Sequence, residues 1–510
     1  MAGVAAAGVA GCFSKRGAGS FFGDTVRLAA VGVMGKGLTD WVPMVKSGKA
    51  ELVALCDCDR NAVAKAAKSK AFLSIPAKMR PDLSKIPFYS DYRRLLGDAG
   101  ILKIDAMTVS TTDHTHGPIA IGAMKQGIHV YVQKPLVRTL WELDYFKRTA
   151  RKYGVITQMG NQGSSLPGFR RGVEILRSGI LGDVEEVHVW TNRPVWPQGA
   201  AAGRLALGKA DKIPASLDWN AWLGPAKDRP FKGDIPKGAD VRNPLKIANA
   251  VYHPFNWRGF CDFGCGAFGD MACHTMNLPF RGLELGAVTT AELVAVDDRD
   301  AIAVPMKSVV KRVYAERKSM DGRALPAVTL YWYDGDMKPK AEIMPQVTAA
   351  FNGKVPKTGC VVIGENGVLC SVNDYGAESF IALKGEKKVV NVKDHGIARM
   401  VERSIPLRAD SVDKVEKGSG AAAVSADGHY IEFLDAIMGE GPAFPDVGGS
   451  RCFSDIGYSI PQMEGILVGV VAQRVCEEGG SISWNSAKRR FDSDAANNLV
   501  KPYMRKGFEF

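Results

Sequence analysis

The chain predicts an α/β protein that opens on a parallel, doubly wound sheet, and three observations carry this prediction. An apolar run over residues 26–31 leads straight into glycines. A second run, over residues 51–57, ends in an acidic residue, and residues 104–126 read as strand, polar loop and helix. Alternation of short buried strands with helical stretches is the pattern of βαβ units.

The first unit is residues 26–37, VRLAAVGVMGKG, after which residues 38–45 open a helix. Gly32, Gly35 and Gly37, with Lys36 between the last two, let backbone amides approach a pyrophosphate, and the positive end of the helix favours its charge. In the spacing Gly35-x-Gly37-x-x-Asp40 an aspartate stands where the third glycine normally lets helix pack closely on strand. The second strand, residues 51–57, ends in Asp57 about 20 positions on, as expected of a carboxylate gripping the adenosine ribose. Asp57 argues for NAD, because it would repel a 2′-phosphate, while Arg60 leaves NADP open. A glycine turn with Asp57 or Asp59 as a helix cap, and no nucleotide, is the plainer alternative.

In the third unit residues 104–110 form a strand, residues 111–116 a polar loop and residues 118–126 a helix. The loop faces the carboxyl edge of the sheet, so Ser110, Thr111, Thr112 and His116 can reach the nicotinamide side of a cofactor. His114 and His116 can equally be loop or capping residues. The next apolar run, residues 128–132, closes on Gln133-Lys134-Pro135, which puts a lysine at the carboxyl end of a buried parallel strand, where open α/β sheets hold ligands. Residues 25–154 are therefore read as a dinucleotide-binding domain. A second domain, residues 155–510, mixes strands at 184–190 and 327–333 with a helix at 167–177. Residues 194–218 and 225–249 read as long loops over the site mouth.

These motifs resemble the Gfo/Idh/MocA family of NAD(P)-dependent oxidoreductases, in which a Glu-Lys-Pro motif supplies an active-site lysine and a loop similar to VSTTDHTHGPIA follows the third parallel strand. Gln133 here replaces the usual glutamate, and Lys134 and Pro135 match. The resemblance continues through YHPFNWRG at 252–259 and GCGAFGDMACHTMN at 264–277, where Asp270 and His274 match the family's aspartate and histidine. It reaches the C-terminal ISWNSAKRRFDSDAANNLV, similar to a longer bacterial branch whose members often carry export signals. The resemblance implies a Rossmann domain followed by an α/β domain with a large, open, mostly antiparallel sheet whose far face supports a homo-oligomer, a dimer or tetramer.

The chemistry of these residues is coherent. Asp270 and His274, four apart on one helix face, would let the carboxylate orient or tune the imidazole. Such a histidine can take the hydroxyl proton as hydride leaves for the nicotinamide, and Lys134 can stabilise alkoxide charge or share the proton. Arg193, Trp196, Tyr252, His253, Asn256, Trp257 and Arg258 can bind a sugar or polyol, with aromatic faces over C–H patches and polar groups on hydroxyls. Trp219 and Trp222 in LDWNAWLG are read as core.

The chain has 510 residues, 46% of them apolar and 24% charged, as in an ordinary globular protein. Its net charge of +12 is spread among interleaved acids, so a nucleic-acid partner is not expected, and the basic run at 307–318 reads as a solvated surface. Cys261, Cys265 and Cys273 beside His274 fit no common zinc spacing, so no metal is expected. Cys56 and Cys58 read as packed thiols, and no disulfide framework is evident. Residues 1–24 read as a flexible tail or the remnant of an export signal, with Val9-Ala10-Gly11-Cys12 resembling a lipoprotein cleavage box. The protein would be periplasmic in the second case and cytoplasmic in the first, and no transmembrane segment is expected. Three functions remain: a dehydrogenase acting on a secondary hydroxyl of a sugar, glycoside or cyclitol; a redox-assisted glycoside-cleaving enzyme that recycles NAD in place; and a non-catalytic NAD-binding sensor.

Overall fold

The computed structural model describes residues 23–244, 248–412 and 425–510, so the proposed tail, including Cys12, lies outside the described residues except for its last two positions. Strands β1 (Val26–Val31), β2 (Ala50–Cys56), β3 (Phe88–Tyr89), β4 (Ala106–Val109), β5 (His129–Val132) and β6 (Thr157–Met159) form one sheet in the order β3-β2-β1-β4-β5-β6. Every pair in it is parallel. In β1 only Arg27 escapes full burial, as expected where helices cover both faces. Chain order reverses between β1 and β4, which opens a crevice at their carboxyl ends.

The connecting helices are α1 (Lys36–Lys46), α2 (Asn61–Ala67), α3 (Lys70–Leu73), α4 (Tyr92–Asp98), α5 (Asp113–Met124) and α6 (Leu140–Tyr153). A capping box of Thr139 and Glu142 starts α6, and Gly154, at φ 61°, ends it in the left-handed region. On one face of the sheet Trp41, Met44 and Phe72 pack with Leu28 and Leu55. On the other, Ile119, Met124, Leu143 and Phe146 join a core that runs on into the rest of the chain.

Two boundaries differ from the sequence expectation. Thr157–Met159 is the edge strand of the first sheet, so this unit runs past residue 154. Helix α5 begins at Asp113, which makes residues 113–116 helical where a polar loop is expected. Pro118 resembles a helix start because proline favours a first turn, but the preceding turn is buried, and tertiary bonds from His114 and His116 hold it helical.

The second region contains β7 (Val184–Trp190), β8 (Val288–Asp297), β9 (Lys307–Tyr314), the hairpin β10 (Arg317–Lys318) and β11 (Ala324–Leu325), and β12 (Val328–Tyr333). Then come β13 (Gly359–Gly364), β14 (Gly367–Ser371), β15 (Phe380–Leu383), β16 (Val390–Asn391), the pair β17 (Ser411–Val412) and β18 (Ser425–Ala426), β19 (Ser481–Asn485) and β20 (Arg490–Phe491). Ten of these strands form a sheet ordered β16-β15-β14-β13-β7-β12-β9-β8-β19-β20, antiparallel except between β7 and β12.

Its helices are α7 (Pro167–Arg177), α8 (Gly199–Leu205), α9 (Trp219–Leu223), α10 (Gly266–Thr275), α11 (Asn277–Gly282), α12 (Pro345–Ala350), α13 (Ile397–Met400), α14 (Asp427–Met438) and α15 (Ile456–Val475). Phe268 of α10 stacks on Trp332 of β12, with centroids 4.9 Å apart, and so fixes the helix on the sheet. Helix α14 returns to the first unit, where Tyr430 and Phe433 pack on Tyr131 of β5. The C-terminal segment also returns: Phe508 packs on Tyr92, and the Trp141 amide donates to the Val500 carbonyl. Among the described residues no helix is long and apolar enough to cross a membrane.

Candidate active site

The glycine turn between β1 and α1 has the shape of a phosphate cradle. Gly32 and Gly35 have φ of +85° and +60°, and a Cβ on Gly32 would lie 2.3 Å from the Ser110 carbonyl oxygen. A Cβ on Gly37 would lie 1.8 Å from the Gly32 carbonyl oxygen, so Gly37 is the glycine that lets helix pack on strand. This corrects the reading that gave Asp40 the third-glycine place. A Cβ on Gly35 would meet no heavy atom within 4 Å, which leaves the turn open toward a pyrophosphate. Asp57 follows β2, and its carboxylate accepts from the amides of Val33 (2.9 Å) and Asp59 (3.0 Å). Burial pushes its pKa up, and these amides work against the rise. The turn and Asp57 thus fit the phosphates and ribose of a dinucleotide.

Four polar residues assigned to the cofactor are tied down by contacts within the protein. The Ser110 hydroxyl donates to Asp40 (2.7 Å), and the Thr111 hydroxyl accepts from Thr115 (2.7 Å), a residue that also lies 3.4 Å from Thr112. His116 spans the carbonyls of Pro135 (2.7 Å) and Thr111 (3.2 Å), and burial lowers its pKa to about 4. His114 is likewise buried against the Phe263, Trp222 and Leu223 carbonyls, with its pKa lowered to about 3.

Lys134 leaves the end of β5 and meets α10. Its ammonium donates to Asp270 Oδ1 (2.9 Å) and to the Asp270 carbonyl (3.0 Å), and the Arg258 Nε donates to the same Oδ1 at 3.3 Å. Burial pushes the Asp270 carboxyl up, but Lys134 and Arg258 outweigh it and hold the pKa well below the usual range. Asp270 therefore serves Lys134, whereas the sequence spacing pairs it with His274. His274 is 5% exposed, and its Nδ1 is buried without a partner. Burial, reinforced by Lys134, keeps its pKa well below that of a free imidazole, so the ring is neutral. Asp113 lies in the same electrostatic environment, and burial together with Asp270 raises its pKa to about 7.

The residues proposed to bind substrate divide. Arg258 lies over Phe255 and Trp257 at 4.3 and 4.4 Å and within 5.8 Å of Trp196, which links the aromatic loop to Asp270. Arg193 pairs with Asp374 at 2.8 Å and is felt electrostatically by His274. Tyr252 belongs instead to an aromatic core with Trp219, Trp222, Phe260 and Phe263, and Trp219 and Trp222 stack 4.5 Å apart as core residues. The Asn256 amide clamps the Ala248 and Ala250 carbonyls, and the charges His253 feels are Asp59 and Lys65, beyond β2. Apolar burial and backbone bonding claim residues whose types alone suit a sugar.

One site residue carries no sequence signal of its own: Tyr375 stands edge-on to His274, with centroids 5.0 Å apart. Its backbone packs on Gly163, where a Cβ would lie 2.7 Å from the Tyr375 carbonyl oxygen. Among the described residues no group of three or more His, Cys, Asp or Glu is arranged to hold a metal ion.

Comparisons agree with this geometry. Residues 26–161 match the family described as the oxidoreductase family with an NAD-binding Rossmann fold, Gfo/Idh/MocA. Over 167 residues the chain is 28% identical to glycosyl hydrolase family 109 protein 2 of Akkermansia muciniphila, covering 31% of this chain and 32% of that protein. Over 85 residues it is 27% identical to 2,7-anhydro-N-acetylneuraminate hydratase of Mediterraneibacter gnavus, covering 17% of this chain and 23% of that protein. The chain thus spans about a third or less of each relative's length. An inositol dehydrogenase homologue from Azotobacter vinelandii, solved with NADH and myo-inositol, shares the fold at a TM-score of 0.53 and 15% identity, over 90% of this chain and 98% of that one. The glycine turn, Asp57, Lys134 and the matched sequence together assign residues 26–161 to the Gfo/Idh/MocA oxidoreductase family as its NAD-binding Rossmann domain.

Proposed function

We propose that the protein is an NAD-dependent oxidoreductase that passes a hydride between the nicotinamide and a secondary hydroxyl or ketone of a sugar, glycoside or cyclitol. The observation that carries this reading is the buried Lys134–Asp270 pair beside His274, at the carboxyl end of β5. Bound NAD supplies the hydride acceptor or donor, held by the glycine turn and Asp57. The protein's own residues manage the proton. The neutral His274 can accept a hydroxyl proton, while the Lys134 ammonium can donate to an oxygen that gains negative charge. Asp270 stays ionised and compensates both Lys134 and Arg258. Arg193, Tyr375 and the Trp196, Trp257 and Arg258 group supply hydrogen bonds and apolar faces suited to a polyol.

A second reading, redox-assisted glycoside cleavage, is favoured by the similarity to the family 109 protein and the hydratase. We also propose a homo-oligomer formed through the far face of the ten-stranded sheet, which light scattering on the purified protein tests. One experiment separates the two activities: NAD is added, free sugars, cyclitols and glycosides are offered in turn, and the reduced-nicotinamide band is followed together with the products. Steady accumulation of reduced cofactor supports the dehydrogenase. Glycoside cleavage without accumulation supports the second reading, and inactivity across the panel, with NADH still bound, refutes both.

A further inference from the structure

Gln133, the departure from the family pattern, meets Asp40 in space. Asp40 of α1 has no exposed surface, and its carboxylate accepts from the Ser110 hydroxyl at 2.7 Å, from the Gln133 amide at 3.0 and 3.1 Å, and from the Lys36 ammonium. Gln133 is 4% exposed, and a Cβ on Gly160 would come within 2.4 Å of its amide nitrogen, so the side chain is wedged between Gly160 and Asp40. The amide works here as a donor to a buried acceptor. A glutamate at 133 would set two carboxylates at hydrogen-bond distance, and one of them would have to take a proton. A single buried charge therefore ties together the end of β4 through Ser110, the end of β5 through Gln133 and the glycine turn through Lys36. These are the elements that border the cofactor crevice, and Lys134 is the residue next to Gln133.

We propose that Asp40 and Gln133 are a coupled positioning pair: the aspartate requires an amide at position 133, and together they set where the chain leaves β5, and so where Lys134 and Lys36 stand toward the cofactor. The inference rests on the hydride-transfer reading above. Replacement of the family's glutamate by Gln133 then complements the aspartate at position 40.

Gln133→Glu, Asp40→Asn and the double variant test the pair, by NADH fluorescence titration and by thermal melting of the unliganded proteins. The double variant exchanges donor and acceptor between the two positions. Gln133→Glu is expected to weaken NADH binding by on the order of tenfold at about pH 8, and the defect should shrink toward about pH 5 as the carboxylates come to share a proton. A loss of packing alone would not follow pH in this way. Lys36 of α1, Tyr131 of β5 and Tyr430 of α14 also face Asp40, and burial holds both tyrosines far above this pH range. The double variant should bind NADH within about threefold of wild type and melt above Gln133→Glu.

Wild-type affinity in Gln133→Glu, or a double variant no better than the worse single, overturns the pair. Failure of the wild type itself to bind NADH counts against the hydride-transfer reading. Melting still decides the pair in that case, since equal melting temperatures for wild type and Gln133→Glu overturn it.

Discussion

Asp270→Asn isolates the charge on which the site balances. In the wild type the carboxylate faces Lys134 at 2.9 Å and Arg258 at 3.3 Å, and the Lys134 and Asp270 side chains are each 12% exposed. Asparagine keeps the shape and an acceptor oxygen but removes the charge, which leaves two cations without their counter-ion. Removing one partner of a buried pair costs about 3–5 kcal/mol, and the small solvent exposure here places the expected loss near ~3 kcal/mol. Urea unfolding at about pH 7 reads it as a lower midpoint at unchanged slope. The carboxyl's pKa in the fold is depressed, so its stabilisation is fully present above the unfolded value of about 4 and is lost as pH falls through the folded value. Wild type and variant should therefore differ equally at about pH 7 and about pH 5 and converge below about pH 4. A loss under about 1 kcal/mol at neutral pH, as an exposed pair would give, refutes the reasoning, and so does a gap that persists unchanged in acid.

Lys134→Ala and His274→Ala are each expected to cut turnover by on the order of a hundredfold or more while sparing NADH affinity, measured by steady-state kinetics and fluorescence titration. Gly37→Ala, whose methyl would meet the Gly32 carbonyl oxygen at 1.8 Å, should lower stability by roughly 2 kcal/mol or more and weaken NADH binding, as read by melting with and without the cofactor. Asp57→Asn keeps an acceptor for the Val33 amide and removes the charge. It should narrow the preference for NADH over NADPH by on the order of tenfold in competitive titrations.

Local patterns carried much of this architecture. The glycines after β1, the acid after β2 and the lysine after β5 are each set by a few adjacent residues whose burial and backbone freedom are intrinsic. For the same reason β7 and α7 occupy the spans read from the chain, 184–190 and 167–177. The identity of the third glycine did not follow from spacing, because it depends on how closely α1 approaches β1, which puts Gly37 rather than Asp40 against the Gly32 carbonyl. The short strand at 157–159 carries no mark of its sheet, and its parallel pairing with β5 assigns it to the first unit.

The site shows the same division more sharply. Lys134, Asp270 and His274 are legible as residue types at suitable positions, yet a shared helix face did not decide the partner of Asp270. Lys134, 136 residues away in the chain, approaches within 2.9 Å and wins by charge and proximity. Tyr252 and Asn256 have the right chemistry for a sugar, but an aromatic core and two backbone carbonyls claim them. Tyr375 has no motif and reaches the site only because the turn after β14 packs against α10. Periodicity reports that a face is buried and composition reports what a side chain can bond, whereas the choice among competing partners depends on distances that exist only once the chain has packed.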